Sequence, residues 1–357
     1  MFRDPNAGTD RSIVRMDRSW SSRLPHPSSA QSNKVLQGAE DKCVVPILGW
    51  HLPAGESLFP DDPRERTEPT PSLGRGQRFP YILVMKRGRQ SCHHAVQSRR
   101  FAGIDIPVVR RMAWKLARCL RGLHGRGIIH GDVKPRNVLI YDDNRIVLCD
   151  LDASMKNGAE RVLGKKMPSS GYSAPEVERF KIWEGLPEGQ RGAKPALRTS
   201  AALDVWGFGV VLFQLCTGEK LFHQNEADDE IVDPRDEMRK CVWNCISDDE
   251  LMTVFLNGAI ASEGKSRDEV LGVASDAKNL IRWCLQGDPT ARPSSMKEIM
   301  EHAFFGHVPR SSPSPGAEGD GKHRDHHICA TSFASKSSLR RSRATRQITV
   351  ETQGNLN

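Results

Sequence analysis

The 357-residue chain has no apolar run near the ~18 residues that a membrane span needs. It opens M-F-R-D-P-N-A-G, without the apolar stretch of a secretory signal. No membrane span is therefore expected, and a cytoplasmic or nuclear protein is. A disulfide framework is also lacking. The nine cysteines stand at 43, 92, 119, 149, 216, 241, 245, 284 and 329, scattered and odd in number, so free thiols of a reducing compartment are expected. Cys241 and Cys245, even with His302 or His307, lack the loop spacing of a zinc site, and core packing is expected of them. His93-His94, beside Cys92, reads as hinge-adjacent surface. A basic groove is missing too. The net charge is +8, but residues 1–35 carry six Lys/Arg against three Asp/Glu (+3) and residues 307–357 carry eight against four (+4). The middle is nearly neutral, so a nucleic-acid interface across it is unsupported. The basic ends read as solvated tails; weak attraction to acidic partners stays open. There is no internal repeat.

What is there is patterned. Residues 1–33 are rich in Ser, Arg and Pro without periodicity and read as disordered. Residues 53–78, with prolines at 53, 60, 63, 69 and 71, read as a long surface loop. Between Pro107 and Arg126, Val109, Ala113, Leu116, Ala117, Leu120 and Leu123 recur at helical spacing, the apolar face of an amphipathic helix. V-W-G-F-G-V-V-L-F-Q-L-C (205–216) is apolar nearly all round, so that helix must be buried, with Asp204 as N-cap and Gly218 as stop. Ser295 and Glu298 fit a capping box for a last helix. Two connections, 178–201 and 225–265, read as insertions without catalytic consequence.

The chemistry concentrates at 130–150. Residues 130–137 read H-G-D-V-K-P-R-N, and Asp150 follows in V-L-C-D-L-D-A-S. V-L-I at 138–140 and I-V-L at 146–148 read as a hairpin with Asp142, Asp143 and Asn144 in its turn. That hairpin folds Asp150 back beside Asn137. An amide and a carboxylate then converge where a divalent ion could sit, with Asp132 near them as a base. Phosphoryl transfer needs such a cluster, because its catalysis is mostly positioning and charge neutralisation. Taken singly, each residue has a plainer role: Asp132 capping a turn, Asn137 satisfying loop carbonyls, Lys134 on the surface.

Together these spacings resemble the eukaryotic protein-kinase catalytic loop H-x-D-x-K-x-x-N and the metal-binding D-F-G. Ala174-Pro175-Glu176 resembles A-P-E. Asp204-Val205-Trp206-Gly207-Phe208-Gly209 resembles D-x-W-S-x-G, and Arg292 in D-P-T-A-R-P resembles the arginine that pairs with the A-P-E glutamate. Tyr81–Met85 resembles the last small-lobe strand, entering a hinge at Lys86–Gly88. The resemblance implies an α+β, protein-kinase-like bilobal fold with a truncated β-rich small lobe and a mainly helical large lobe. The implied divisions are a disordered basic tail (1–35), a partial small lobe and hinge (36–88, with the 53–78 insertion), a large lobe (89–306) and a disordered Ser/Arg-rich tail (307–357). It also implies roles. Asp132 would accept or orient the substrate hydroxyl proton and Lys134 would contact the transferred phosphate, as in the serine/threonine class. Asn137 and Asp150 would hold Mg2+, while Met85, Lys86 and Arg87 would contact ATP. His130, Glu176, Asp204 and Arg292 would be structural. Ser169 stands where the family usually has a threonine contacting the catalytic loop. Ser169, Ser170 and Ser173 are candidate phosphosites on the activation segment.

The resemblance has three gaps. V-V-P-I-L-G-W (44–50) looks like the strand after the helix that carries the family's glutamate, so the family's strand lysine should lie before residue 30. The first lysine is Lys34, no Asp or Glu occurs from Arg18 to Ala39, and Gly8 stands alone before Gly38. The first small-lobe strands thus read as absent. At about 1.5–3 kcal/mol per hydrogen bond to a charged group, losing the lysine and the loop amides could lower nucleotide binding or turnover by several orders of magnitude. Gly131 replaces a common arginine, so the segment reads as needing no phosphate to order it, and Asp152 replaces the D-F-G glycine. Two functions remain open: an ATP- and Mg2+-dependent serine/threonine kinase acting on a protein substrate, or a catalytically impaired pseudokinase or kinase fragment binding a regulatory partner. Nucleic-acid binding by the tails is a weaker third.

Overall fold

The computed structural model describes residues 11–16, 43–51, 81–99, 101–160, 167–195, 197–255 and 267–306. The 53–78 loop, the 307–357 tail and most of the 1–35 tail lie outside the described residues. The described residues make one compact unit. Its elements run β1 (Arg11–Met16), β2 (Ile47–His51), β3 (Tyr81–Lys86), β4 (Gln90–Ser91), α1 (Cys92–Arg99), α2 (Ile106–His124), β5 (Ile128–Ile129), β6 (Val138–Ile140), β7 (Ile146–Leu148) and β8 (Met155–Lys156). There follow α3 (Pro175–Gly185), α4 (Ala201–Thr217), α5 (Pro234–Cys241), α6 (Asp248–Met252), α7 (Arg267–Cys284) and α8 (Met296–Glu301).

The small lobe corrects one expectation. Residues 11–16 form a strand inside the segment read as disordered. The sheet order is β1-β3-β2, with β3 antiparallel to both neighbours, Arg11 opposite Lys86 and Met16 opposite Tyr81. The β-branched pair Ile13-Val14 suits a strand, and the apolar β3 supplies a free edge to pair with. The small lobe is truncated, as the resemblance implies, but keeps this one additional strand, and β1 carries arginines and no lysine.

The large lobe is built on two helices. In α2 the Asp105 side chain accepts the Val108 N–H, Pro107 sits in the first turn, and the six residues of the expected apolar face are all buried. In α4 every residue from Leu203 to Cys216 is buried, and the helix stops at Gly218. Fully burying each large apolar side chain there stabilises by about 1.5–3 kcal/mol. A Cβ added at Gly207 would lie 2.9 Å from the Val133 Cβ, so glycine lets the helix press against the catalytic loop. Trp206 packs edge-on against Trp243 at 5.5 Å.

Several boundaries differ from the sequence reading. The α4 N-cap is Ser200; Asp204 lies inside the first turn and serves another element. Ser295 caps α8 as expected, its Oγ accepting from Glu298 N–H, but the Glu298 carboxylate accepts from Ser294 N–H, so only half of that box forms, while a full capping box forms at Ser247 and Glu250. Both insertions contain helices. Pro175 with acidic first-turn residues starts α3, and Asp233-Pro234 with Asp236 and Glu237 starts α5. Because α5 ends at Cys241, Cys241 is half-buried and Cys245 is exposed, so neither is a core residue. His93 is buried, not surface, while Cys92 is buried as expected of the free thiols.

Candidate active site

The hairpin β6–β7 forms in the expected register, Val138 opposite Leu148 and Ile140 opposite Ile146. One residue beyond each strand, Cys149 N–H donates to the Asn137 carbonyl at 2.9 Å, which sets Asp150 next to the end of the catalytic loop. Asp150 has φ 62°, a left-handed conformation uncommon for a non-glycine residue. Asp152 has no such angle, so the glycine it replaces is not needed for backbone freedom here.

Asp204 holds the catalytic loop from below. Its Oδ2 accepts from His130 N–H and lies 2.8 Å from His124 Nε2, and its Oδ1 accepts from Gly131 N–H at 2.8 Å. Burial raises the pKa of this carboxyl, but the His124 hydrogen bond and charge, His130 and the Gly131 N–H outweigh that and hold it below the ordinary value. His130 is fully buried, its Nε2 3.2 Å from the Cys149 carbonyl, and so ties the two loops together. Gly131 has φ +78°, and an added Cβ would lie 2.6 Å from the Ala153 carbonyl oxygen. Glycine is therefore required at the place where the sequence departs from the family.

The four chemical residues split into a locked trio and one neighbour. Asn137 Nδ2 donates to the Asp132 carbonyl at 2.9 Å and to its Oδ2 at 3.1 Å. Lys134 Nζ lies 3.2 Å from Asp132 Oδ2 and donates to Ser169 Oγ at 2.6 Å, while Ser169 N–H donates to Asp132 Oδ1 at 3.1 Å. Asp132, Lys134 and Ser169 thus interlock. With its amide nitrogen committed to Asp132, Asn137 keeps its Oδ1 as a ligand atom. Asn137 Oδ1 and the neighbouring Asp150 carboxylate are hard oxygen donors of the kind Mg2+ prefers. That donor set fits a divalent ion.

At the hinge, Met85 packs against the small cluster of Val45, Leu139, Tyr141, Val147 and Cys149. Lys86 N–H donates to the Pro46 carbonyl at 3.1 Å, and its carbonyl accepts from the Tyr141 hydroxyl at 3.2 Å. Arg87 is exposed.

Ser170 and Ser173 sit in a buried hydrogen-bond network. Ser170 N–H donates to Glu230 Oε2 at 3.0 Å, and its Oγ accepts from Ile231 N–H at 2.7 Å. Ser173 Oγ meets Glu178 and accepts from Lys240 Nζ at 3.1 Å. All three serines, Ser169 included, are buried, which sets them apart from exposed phosphoacceptors. Arg292 closes the segment, bridging both Glu176 oxygens at 2.8 Å, as expected.

Sequence reasoning missed two residues. Asp229, in the insertion read as inconsequential, is buried with φ 64°; it lies 3.1 Å from Arg136 Nε and 3.8 Å from Lys134 Nζ. Lys240 is fully buried, donates to the Ser170 carbonyl and faces the Phe222 ring at 5.0 Å. Burial pushes its pKa down to about 7. Nothing local in the sequence marks either residue.

Among the described residues no helix is long and apolar enough to cross a membrane. Residues 78–305 match the family model described as protein kinase domain. The chain is similar to the serine/threonine-protein kinase Kist of Homo sapiens (26% identical over 196 residues, 54% of this chain and 40% of that protein) and of Mus musculus (31% identical, same coverage). It is also similar to the TBC domain-containing protein kinase-like protein of Mus musculus, 23% identical over 238 residues, 66% of this chain and 24% of that one. The match thus spans about 40% of the length of the Kist relatives. With the family model covering well over half of its residues, the chain belongs to the protein kinase domain family.

Proposed function

We propose that the chain transfers the γ-phosphoryl group of ATP to serine or threonine hydroxyls of a protein, with Mg2+. One observation carries this reading: Lys134 joins Asp132 to Ser169, so the base, the phosphate-facing cation and the substrate-facing segment form one hydrogen-bonded unit. Building that unit is the costly, positional part of phosphoryl transfer. Asp132 orients the acceptor hydroxyl and takes its proton. Lys134 neutralises charge on the moving phosphoryl. Asn137 and Asp150 would hold Mg2+, which neutralises phosphate charge when bound, and Met85, Lys86 and Arg87 flank the nucleotide base. The test is phosphate incorporation by the purified chain compared with Asp150→Ala; activity no higher than that variant rejects the reading.

A second reading is a binding module without turnover, in which the large lobe engages a partner. What favours it is that β1, β2 and the described residues before Lys86 contain no lysine to grip the α- and β-phosphates. Within that reading, a rise in melting temperature with Mg-ATP distinguishes a nucleotide-binding form from a purely structural one, because a ligand stabilises only the state that binds it; phosphate incorporation separates both from the kinase.

A further inference from the structure

Beside the catalytic loop, three basic side chains converge on one carboxylate. Glu226 Oε1 lies 2.9 Å from Lys220 Nζ, and its Oε2 lies 3.4 Å from Arg136 Nη2 and 3.7 Å from His93 Nε2. The bases are sheltered, with side-chain exposures of 20% for Lys220, 32% for Arg136 and 10% for His93, whereas Glu226 is 65% exposed. The pocket is therefore built by the bases and filled from outside by the acid. It does not depend on Glu226 for its shape. Arg136 is fixed by Asp229 and by the Glu226 backbone carbonyl, not only by the Glu226 carboxylate. The turn itself is pinned by Asn225, whose Oδ1 accepts from Ala227 and Asp228 N–H and whose own N–H donates to the Glu230 carbonyl. Rotating the Glu226 side chain into water empties the pocket without unfolding the loop, and exposed ion pairs of this kind hold weakly.

The pocket adjoins the base. From Asp132 the contacts run to Lys134, Asp229 and Arg136, and none exceeds 3.8 Å. The anion position is thus within a few residues of extended peptide, about 3.3 Å each, of the hydroxyl that Asp132 would receive. Once Glu226 turns away, the Arg136 guanidinium, the Lys220 ammonium and the His93 imidazole, whose pKa burial lowers, remain as donors, with the buried Asp229 carboxylate held at Arg136 Nε. They suit a group with three acceptor oxygens and close to two negative charges.

We propose that Arg136, Lys220 and His93 form a subsite for a phosphorylated serine or threonine flanking the acceptor residue of a substrate peptide, with Glu226 as its occupant in the free protein. The proposal rests on the kinase reading for its biological use, but the subsite itself is a binding property. It makes this chain selective for substrates already phosphorylated nearby, and it gives the 225–230 insertion a role in choosing them.

The experiment is fluorescence anisotropy on the full chain without nucleotide. The probes are short labelled peptides with one central serine and a single phosphoserine walked along the flanking positions, each compared with its unphosphorylated twin. At the matching position the phosphopeptide should bind about tenfold tighter than its twin. Glu226→Gln should raise that preference by about fivefold, and Lys220→Gln should lower it by a similar factor. Equal binding of both twins at every position overturns the proposal, as does a preference that neither substitution moves. Competition by inorganic phosphate with no difference between twins assigns the pocket to the free ion and also overturns it. Phosphoryl transfer is measured separately: phosphopeptide selectivity without transfer upholds the subsite and fails the kinase reading, and transfer without selectivity does the reverse.

Discussion

Arg292 holds Glu176 through both terminal guanidinium nitrogens at 2.8 Å, across 116 positions of chain. Arg292 is fully buried and also donates to the carbonyls of Gln286 and Ala202. The pair fixes the end of the activation segment to the start of α4 and to the last turns of the large lobe. Glu176→Gln or Arg292→Met should cost about 3–5 kcal/mol in urea denaturation, because each leaves a buried group uncompensated. Arg292→Lys should not restore stability, since an ammonium cannot span both oxygens. A loss below about 1 kcal/mol in all three would show that the pair contributes little.

Gly131 gives a sharper test of the catalytic loop. Gly131→Ala should cost about 1–3 kcal/mol, from the left-handed backbone and the approach to the Ala153 carbonyl. Gly131→Arg, the family's usual residue, should be at least as costly. Unchanged denaturation midpoints for both variants would mean that the loop relaxes freely.

Lys240 makes stability depend on pH. An unfolded lysine titrates near 10.5, and burial brings the folded one to about 7. Between those values the unfolded chain binds the extra proton, so stability rises with pH across the window and is lowest below about pH 7, where both states carry the charge. The slope from this residue approaches about 1.4 kcal/mol per pH unit. Chemical denaturation from pH 6.5 to 9.5 should show the rise in the natural chain and lose it in Lys240→Met. An identical slope in the variant would place the titration elsewhere.

Asn137 offers a test in which the better ligand should be the worse residue. A carboxylate is a stronger Mg2+ ligand than an amide oxygen, yet Asn137→Asp would set an acceptor against Asp132 Oδ2 and its carbonyl, where Nδ2 now donates. Asn137→Asp should therefore lose about 2 kcal/mol or more of stability at neutral pH, and more than Asn137→Ala. An Asp variant as stable as the natural chain would mean that the amide is not pinned as described.

The parts of the molecule legible in the sequence are those whose partners are close along the chain or whose pattern is dense. The β6–β7 hairpin, the apolar face of α2 and the all-apolar α4 follow from local spacing; Asn137 meets Asp132, and Asp150 follows the residue that bonds the Asn137 carbonyl. What was not legible depends on distant partners. β1 is short, and its partner β3 lies far along the chain. Asp229 meets Arg136 from 93 positions away, and Lys240 reaches Ser170 from 70. Asp204 reads as a helix cap until the fold delivers two catalytic-loop N–H groups to it. The Asp233-Pro234 start of α5 was readable and was obscured by treating an insertion as loop.

The central claim is that the Asp132–Lys134–Ser169 unit performs phosphoryl transfer. The most direct measurement is incubation of the purified chain with γ-labelled ATP, Mg2+ and a mixed protein substrate, followed by phosphoamino-acid analysis, beside Asp132→Asn. The account requires label on serine and threonine that falls by about a hundredfold or more in the variant, the usual scale for a positioned acid–base group. Label no greater than that of Asp132→Asn, or label confined to tyrosine, would contradict it.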